Sequence, residues 1–387
     1  MKKILITTYY FYPEVIPRSF RTFELAKSLS KLGYKVDVII PKNEFDYTDV
    51  EVQYGLTIIK VPSGFFLNKV TKKNIINQRS IQENYFKNII QSLIKKIFYC
   101  IYMGGKNFEY AYSLYNFLKK KKGYDGIISI GLPISVHIGT AMYIKNLDKT
   151  IISIADYGDP FSFNKEIPSC FYYRVVEKYI LNRFTYISVP IKNAVEKYLY
   201  FKKKDEIIVI PQSYDFSNLK VANYSPNQVV TFGYAGLFYK EIRNPKILFE
   251  FLSALEIDFR FIIYTDTSVL ANMALIEPYK VFLGDKLVIK DLIARNECIY
   301  ELSKMDFLIN QNNLLPEQFP SKLIDYMLAM RPVFHFSQNH FSKNNFLALM
   351  ENPQNNIESL KIKNHMELQK YDSLNVAKTF LSYLNLE

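Results

Sequence analysis

The chain has 387 residues, of which 49% are hydrophobic and 22% are charged, a profile typical of a folded globular protein. No run reaches the roughly 18 uninterrupted apolar residues that a membrane-spanning helix needs, and the apolar run near the amino terminus is too short for a signal peptide. The three cysteines and four histidines lack the spacings of disulfide frameworks or metal sites. We therefore expect a cytoplasmic protein with reduced cysteines and no bound metal.

The positive charge is unevenly distributed. Residues 1–210 contain 32 Lys and Arg against 18 Asp and Glu, which gives +14, whereas residues 211–387 contain 17 against 19, which gives −2. Within the first half, residues 69–122 carry 12 basic and 2 acidic side chains, a net charge of +10. Such a local excess indicates either a polyanionic partner or a solvated basic surface.

The chain opens with a strand, a helix and a second strand. Residues 4–8 form a short apolar run, and apolar residues at steps of three and four predict a helix over 18–32. Gly33 stands where a helix ends, and residues 36–40 form a second apolar run that Pro41 terminates. These elements predict a βαβ unit.

Strands and helices continue to alternate along the chain. Further strands are predicted over 126–130, 150–154, 186–189 and 207–210, with helices over 135–145, 172–183 and 191–200. Residues 211–228 break the pattern and read as a linker, after which strands recur at 229–234, 259–264, 307–309 and 332–336. Alternation of this kind predicts an α/β fold with doubly wound parallel sheets.

The opening segment resembles a known family. Phe11-Tyr12-Pro13-Glu14, followed by Arg18 and the helix that ends at Gly33, is similar to the start of the family-4-like glycosyltransferases of the GT-B fold. The resemblance extends over nearly the whole chain and implies two Rossmann-like domains that face a central cleft. It places Pro13, Glu14 and Arg18 at an acceptor site.

The resemblance also implies the domain boundaries. Residues 1–212 would form the acceptor domain, and a carboxyl-terminal helix at about 373–387 would pack back on it. Residues 228–372 would form the domain that binds the nucleotide-sugar.

A second similarity follows two predicted strands of the first domain. The segment from Gly131 to His137 and the segment Asp156-Tyr157-Gly158-Asp159-Pro160-Phe161 resemble paired family motifs. Ligands of open parallel sheets bind beyond the carboxyl ends of the strands. The resemblance therefore implies that His137 and Asp159 lie near the acceptor and the transferred sugar. The alternatives are a half-buried histidine with satisfied hydrogen bonds and an Asp that caps a helix.

A third similarity opens the second domain. The run from Gly233 to Pro245 resembles the first strand of the family's donor domain with its glycine loop and a basic residue before Asn-Pro. Gly236 would let the backbone approach a diphosphate, and Arg243, or secondarily Lys240, would offset the charge on the leaving nucleotide. The alternative is a surface loop with two solvated basic residues.

The fourth similarity is the most specific. Residues 317–333 resemble the family's E-x7-E segment in its P-S-K variant, with Glu317 and Asp325 as the two acids. Ser321 and Lys322 would hold a phosphate at a helix amino terminus, Asp325 would accept ribose hydroxyls, and Glu317 would reach the donor sugar. Met330 replaces the usual glycine, which suggests a helix end without a left-handed glycine. The alternative is an amphipathic helix that leads into a buried strand.

Together these similarities imply a retaining glycosyltransferase. It would move a sugar from a nucleotide-sugar to a saccharide acceptor, with His137, Asp159, Arg243, Lys322 and Glu317 in catalytic roles and no essential metal or other cofactor. Two alternatives remain: a catalytically silent GT-B module that binds a saccharide or a partner subunit, and another GT-B enzyme such as a sugar-nucleotide epimerase. No nucleic-acid recognition motif accompanies the basic residues.

The basic segment suggests where the acceptor is found. In residues 69–122, isoleucines, leucines and aromatic residues are interleaved with lysines, as in helices that lie on anionic membranes. The acceptor would then be a lipid-linked saccharide in cell-surface polysaccharide assembly, and the enzyme would be peripheral on the inner face of the membrane. The alternative is that the apolar residues face the core and the lysines face water.

Overall fold

The computed structural model describes residues 1–14, 16–64, 96–103, 105–158, 161–164, 170–217, 219–312, 321–353, 364 and 366–386. Two predicted site residues, Asp159 and Glu317, lie outside the described residues, as do the side chain of Ser321 and the 69–95 part of the basic segment.

The chain forms two compact units. Unit 1 comprises Met1–Asp215 and Tyr371–Glu387, and unit 2 comprises Phe216–Lys370. The division falls inside the predicted linker at 211–228. The second part of this linker is bound to unit 2 through Asp306. The Asp306 carboxylate accepts hydrogen bonds from the Tyr224 hydroxyl at 2.6 Å and from the Asn227 side chain at 3.0 Å.

Unit 1 is built on a parallel sheet that has seven strands within the described residues, in the order β3-β2-β1-β4-β5-β6-β7. The strands are β1 (Lys3–Thr7), β2 (Lys35–Pro41), β3 (Leu56–Val61), β4 (Gly126–Ile130), β5 (Ser153–Asp156), β6 (Tyr186–Val189) and β7 (Ile207–Val209). The reversal of strand order between β1 and β4 confirms the predicted doubly wound topology.

Helices connect these strands. They are α1 (Pro17–Lys31), α2 (Thr48–Tyr54), α3 (Glu109–Leu118), α4 (Ser135–Lys145), α5 (Tyr173–Leu181) and α6 (Val195–Tyr198). Pro17 suits the first turn of α1 because that position needs no amide hydrogen. Gly33, at φ 88°, turns the chain out of α1 and into β2.

Unit 2 has a smaller parallel sheet. Within the described residues it contains five strands in the order β10-β9-β8-β11-β12. They are β8 (Thr231–Ala235), β9 (Arg260–Tyr264), β10 (Leu287–Lys290), β11 (Phe307–Gln311) and β12 (Val333–Phe336). The helices are α7 (Lys246–Ser253), α8 (Leu270–Met273), α9 (Glu277–Leu283), α10 (Arg295–Ser303), α11 (Ser321–Leu328) and α12 (Lys343–Glu351). The predicted α/β class with two parallel sheets is therefore confirmed.

The helix α13 (Ser373–Tyr383) belongs to unit 1 and packs on α1. Its Val376, Phe380 and Leu381 side chains are buried in the same core as Ile4 and Leu25. The Asp372 carboxylate caps the helix by accepting bonds from the backbone amides of the two residues that follow Ser373. The helix was expected at about 373–387.

The cysteines correct one expectation. Cys100 and Cys170 form a disulfide with Cα atoms 5.6 Å apart, although 70 residues separate them in sequence, and Cys298 is free. Sequence spacing missed the pair because the fold brings together two distant segments at the beginning of α5. The hydroxyl groups of Tyr172 and Tyr173 also donate to the backbone carbonyls of Cys100 and Tyr99.

Within the part of the chain that the structure describes, no helix is long and apolar enough to cross a membrane. The same residues contain no group of three or more His, Cys, Asp or Glu side chains that could hold a metal ion.

Candidate functional site

Gly236 and Lys322 are brought together at the carboxyl end of β8. Gly236 has φ 122°, a conformation that favours glycine, and a β-carbon at this position would lie 2.4 Å from Lys322 Cε and 2.5 Å from its Nζ. The lysine comes from α11, almost ninety positions later in sequence. The third and fourth sequence similarities therefore converge on one point of unit 2.

Tyr234 holds the Lys322 side chain in place. Lys322 Nζ donates to the Tyr234 hydroxyl at 2.7 Å and lies 4.1 Å from the centre of the ring, and that hydroxyl donates in turn to the Leu237 carbonyl at 2.9 Å. Tyr234 is itself buried and stacks on Phe238 with ring centroids 4.1 Å apart. Because Tyr234 is buried and stacked, it fixes the position of the Lys322 amino group beside Gly236.

Arg243 adds a second cation. Its backbone pairs with that of Tyr239, and its guanidinium lies 4.9 Å from the centre of the Tyr239 ring. Its buried Nε has no hydrogen-bond partner among the described residues. Burial holds the pKa of Lys322 well below its usual range, and the charge of Arg243 lowers it further. In the described residues no carboxylate forms an ion pair with either cation. Among the described residues, the positive charge of the site is therefore not balanced by a carboxylate.

Asp325 has a partner that the sequence analysis did not predict. Arg295, the first residue of α10, donates to Asp325 Oδ1 from Nε at 2.9 Å and from Nη2 at 2.5 Å. Burial raises the pKa of the Asp325 carboxyl, and Arg295 acts in the opposite direction. Asp325, the predicted ribose acceptor, is thus held in place by an arginine through Oδ1.

Polar residues also end strand β11, where sequence reasoning named no site. Gln311 donates to the Asn244 carbonyl at 2.7 Å, and its buried Oε1 has no hydrogen-bond partner in the part of the chain that the structure describes. Asn310 lies 3.1 Å from His335 Nδ1. The available signal was the sequence Asn-Gln-Asn-Asn directly after three apolar strand residues. Lys240, which was predicted as a donor ligand, is exposed.

His137 lies inside unit 1. It is fully buried on α4, its Nδ1 lies 2.8 Å from Ser129 Oγ, and its ring centroid is 4.5 Å from that of Tyr157. Its Nε2 has no hydrogen-bond partner within the described residues and points at Gly131, where a β-carbon would lie 2.3 Å away. Burial lowers the pKa of His137 to about 3, so the imidazole is neutral at ordinary pH.

Arg18, one of the three predicted acceptor residues, lies near Asp156 at the end of β5. The fully buried Asp156 carboxylate accepts two bonds from Arg21, both at 2.6 Å, and Arg18 Nη1 lies 3.7 Å away. Arg21 therefore holds together β5 and the chain after β7, because it also donates to the Pro211 carbonyl at 2.6 Å. Arg18 fills the space beside Gly158, where a β-carbon would lie 1.0 Å from Nη2.

Pro13 and Glu14 form the loop that follows β1. Both are half-buried, and burial raises the pKa of the Glu14 carboxyl. Glu14 lies near Tyr9 and Tyr10. Burial is the main cause that raises the pKa of each of these phenols, and the negative charge of the Glu14 carboxylate raises it further. The loop thus presents one carboxylate and two phenol groups near the carboxyl end of β1.

Comparison with known proteins supports the fold. Neither a protein-family model nor a curated protein sequence matches the chain. The solved structure of a glycosyltransferase from Rickettsia africae is similar over 100% of this chain and 98% of its own, with a TM-score of 0.63 and 16% identity. TarM from S. aureus, determined with fondaparinux, α-GlcNAc-glycerol and UDP, is similar over 100% of both chains, with a TM-score of 0.57 and 13% identity.

A third similar structure carries a different name. The N-terminal domain of a trehalose-6-phosphate phosphatase from Candida albicans covers 100% of this chain and 97% of its own, with a TM-score of 0.66 and 10% identity. At these identities the likeness establishes the GT-B type of fold alone. Function has to be argued from the side chains, because one fold supports different reactions.

Proposed function

We propose that this chain is a glycosyltransferase that moves a sugar from a nucleotide-sugar to a saccharide acceptor. The observation that carries the proposal is the pair of cations, Lys322 and Arg243, beside the loop at Gly236. A nucleotide diphosphate has the charge that these cations need and can approach a glycine backbone closely.

The same pair accounts for the chemistry. When the bond between the sugar and the diphosphate breaks, negative charge grows on the leaving phosphate, and preorganised cations stabilise it. Lys322 has its position fixed by Tyr234 before the substrate binds, so little reorganisation accompanies the reaction. Asp325 would accept hydrogen bonds from the ribose while Arg295 keeps the carboxylate oriented.

The finer assignments rest on the sequence resemblance. We propose transfer with retention, no essential metal, and roles for Glu317 at the donor sugar and for Asp159 near the transferred group. Pro13, Glu14 and Arg18 are proposed to contact the acceptor, which we take to be a lipid-linked saccharide of cell-surface polysaccharide assembly. His137 would act as a neutral group, because its burial disfavours the protonated form.

A screen of nucleotide-sugars tests the proposal. We expect at least one of them to raise the melting temperature of the full chain and to release its nucleotide when a saccharide acceptor is added. If nucleotides bind without turnover across a broad set of acceptors, the chain is the silent module. If the sugar-nucleotide is converted without an acceptor, it is an epimerase. If no nucleotide stabilises the chain, the donor site is assigned wrongly.

Variants connect turnover to the cations. Lys322→Met and Arg243→Gln should each slow transfer by on the order of a hundredfold or more, since one lost contact to a developing charge costs about 2.7–4 kcal/mol. Lys246→Gln is the matched control, because Lys246 is exposed, lies close in sequence and pairs with Glu250 at 3.6 Å. Near-normal rates in both site variants would contradict the mechanism.

A further inference from the structure

A pocket of about 440 Å³ lies in unit 1 between α4, α5 and the segment 101–108. This volume is within the usual range for ligand pockets. Most of the lining is apolar, as shown by Ile101, Met103, Phe108, Ile138, Met142 and Val176. The pocket plays no part in the proposed sugar transfer.

The polar end of the pocket is basic. Lys145 and Arg183 line it, and Arg183 Nη2 donates to the Tyr179 hydroxyl at 2.9 Å. The two cations, Arg183 first, lower the pKa of the Tyr179 phenol. Across the described residues neither cation forms an ion pair, and no acidic residue lines the pocket. An apolar cavity thus ends at two basic side chains that face the same hydroxyl.

The surface beside the pocket has the same character. Ile101, Phe171 and Val175 are 63%, 96% and 64% exposed. The basic residues Arg174 and Lys178 alternate with them on the outer face of α5 and are also exposed. Glu177, the one acidic residue of α5, is buried and accepts a bond from the Tyr157 hydroxyl at 3.0 Å. Exposed apolar side chains flanked by basic ones are typical of protein surfaces that lie on anionic membranes.

We propose that this pocket binds an apolar chain of an anionic phospholipid, with the phosphate of the lipid at Lys145 and Arg183. The pocket and the exposed face of α5 would then attach unit 1 to an anionic membrane. The apolar lining matches the hydrocarbon chain, and the cations match the phosphate, so both ends of the pocket select the same class of molecule.

The chain's own segment 65–95 is a poorer occupant. It lies outside the described residues, and its sequence contains Lys69, Lys72, Lys73, Arg79, Lys87 and Lys95 against Glu83, six basic residues to one acidic. A segment with six basic residues and one acidic residue would add more positive charge than negative charge beside Lys145 and Arg183. An external lipid phosphate therefore satisfies the charge of the pocket better.

Vesicle flotation of the full chain tests the proposal without any sugar donor. Vesicles of equal parts phosphatidylcholine and phosphatidylglycerol should bind the protein, and vesicles of phosphatidylcholine alone should bind it at least tenfold more weakly. Ala141→Phe fills the pocket and leaves every charge in place, because Ala141 lines the pocket and is 4% exposed. We expect this variant to lose roughly tenfold or more of the binding to the mixed vesicles.

A charge variant and a matched control complete the experiment. Lys145→Glu with Arg183→Glu should lose binding to a similar degree, on the order of tenfold or more. Lys192→Glu with Lys204→Glu makes the same change of net charge at two exposed residues outside the pocket and should retain most of the binding. Circular dichroism verifies that each variant is folded, and the milder pair Lys145→Gln with Arg183→Gln replaces the glutamates if they prevent folding.

Three results would overturn the proposal. Equal binding to neutral and anionic vesicles would show that Lys145 and Arg183 do not recognise the phosphate of an anionic lipid. Wild-type affinity in Ala141→Phe would show that surface charge attaches the protein and that the pocket stays empty of lipid. Equal losses in the pocket pair and in the control pair would show that only net charge matters.

Discussion

Arg295 holds one oxygen of Asp325 with two nitrogens: Nε lies 2.9 Å and Nη2 2.5 Å from Oδ1. Because burial raises the pKa of Asp325 and Arg295 opposes that rise, nucleotide binding should weaken as the pH falls through the raised pKa. In Arg295→Gln the opposing charge is gone, so the pKa rises further and the acid limb moves to higher pH. Calorimetric titration of the nucleotide across pH measures this limb.

Asp325→Asn serves as the control for that experiment, because an amide does not titrate. Its nucleotide affinity should be weak and should lack the acid limb. An unchanged limb in Arg295→Gln would mean that a different group controls the pH dependence.

Gly236→Ala should disable the donor site. The new methyl group would lie 2.4 Å from Lys322 Cε, so the lysine has to leave its place above Tyr234. We expect transfer to slow by on the order of a hundredfold, as for removal of the charge itself. Gly284→Ala is the matched control in the same unit, since Gly284 also has positive φ, at 51°, but no atom within 4 Å of the added carbon. Comparable loss of activity in the control would trace the effect to backbone strain.

Nucleotide binding should take up a proton. The pKa of Lys322 is depressed in the empty site by burial and by Arg243, and an adjacent diphosphate would raise it. Between the two pKa values, a lysine that is neutral in the empty site becomes charged on binding. Calorimetry in buffers with different ionisation enthalpies counts the proton, and Lys322→Met should abolish the uptake. Binding heats that do not depend on the buffer at any pH would contradict this coupling.

His137 should make the stability of the protein sensitive to acid. Its pKa falls from 6.5 to about 3 on folding, so the unfolded chain binds a proton below pH 6.5 that the folded chain does not. Above pH 6.5 the neutral imidazole costs the folded chain no stability. As the pH falls from 6.5 toward 3, the free energy of unfolding decreases by about 1.4 kcal/mol per pH unit. Denaturant unfolding of wild type and His137→Gln between pH 7 and pH 5 should show a shallower loss in the variant.

His340→Gln is the control, because His340 is exposed. It should keep the wild-type dependence of the unfolding free energy on pH. If His137→Gln also keeps it, the imidazole is accessible to protons in the folded chain.

Met330→Gly should stabilise unit 2. Met330 has φ 54° just after α11, and a left-handed conformation costs a residue with a side chain about 1–2 kcal/mol. Met330 is half-buried, so lost packing offsets part of this, and we expect a net gain of about 0.5–1 kcal/mol by denaturant unfolding. Gly33→Ala is the reverse experiment, since Gly33 has φ 88° and open space around it, and it should destabilise unit 1 by about 1 kcal/mol.

Much of the fold could be predicted because the central strands are short apolar runs. The run at 36–40 became β2, and the helix predicted over 18–32 is α1. Strand β5 lies at Ser153–Asp156, later than the predicted 150–154, because the pattern could not show that Asp156 is buried by Arg21. Between Pro41 and Gly126 the sequence suggested only a basic amphipathic helix within residues 69–122, and β3 and α3 were not predicted.

Part of the site was also within reach of the sequence. The glycine loop and the P-S-K segment each indicated a phosphate site, and the structure places Gly236 against Lys322. The roles of Tyr234 and Arg295 were not found, because they depend on the contacts that α11 makes with β8 and with α10 in the folded chain. The same limitation hid the pairing of Cys100 with Cys170.

The discontinuity of unit 1 has a consequence for how the chain is made. Residues 216–370 are synthesised before α13, whose Phe380 completes the core around Ile4 and Leu25. On the ribosome, the amino-terminal part of unit 1 therefore emerges first, and the apolar surface of α1 stays uncovered until α13 is made. By that time unit 2 has been synthesised and can fold. The core of unit 1 can therefore be completed only after α13 and the following Leu384 and Leu386 have been synthesised, because these residues belong to it.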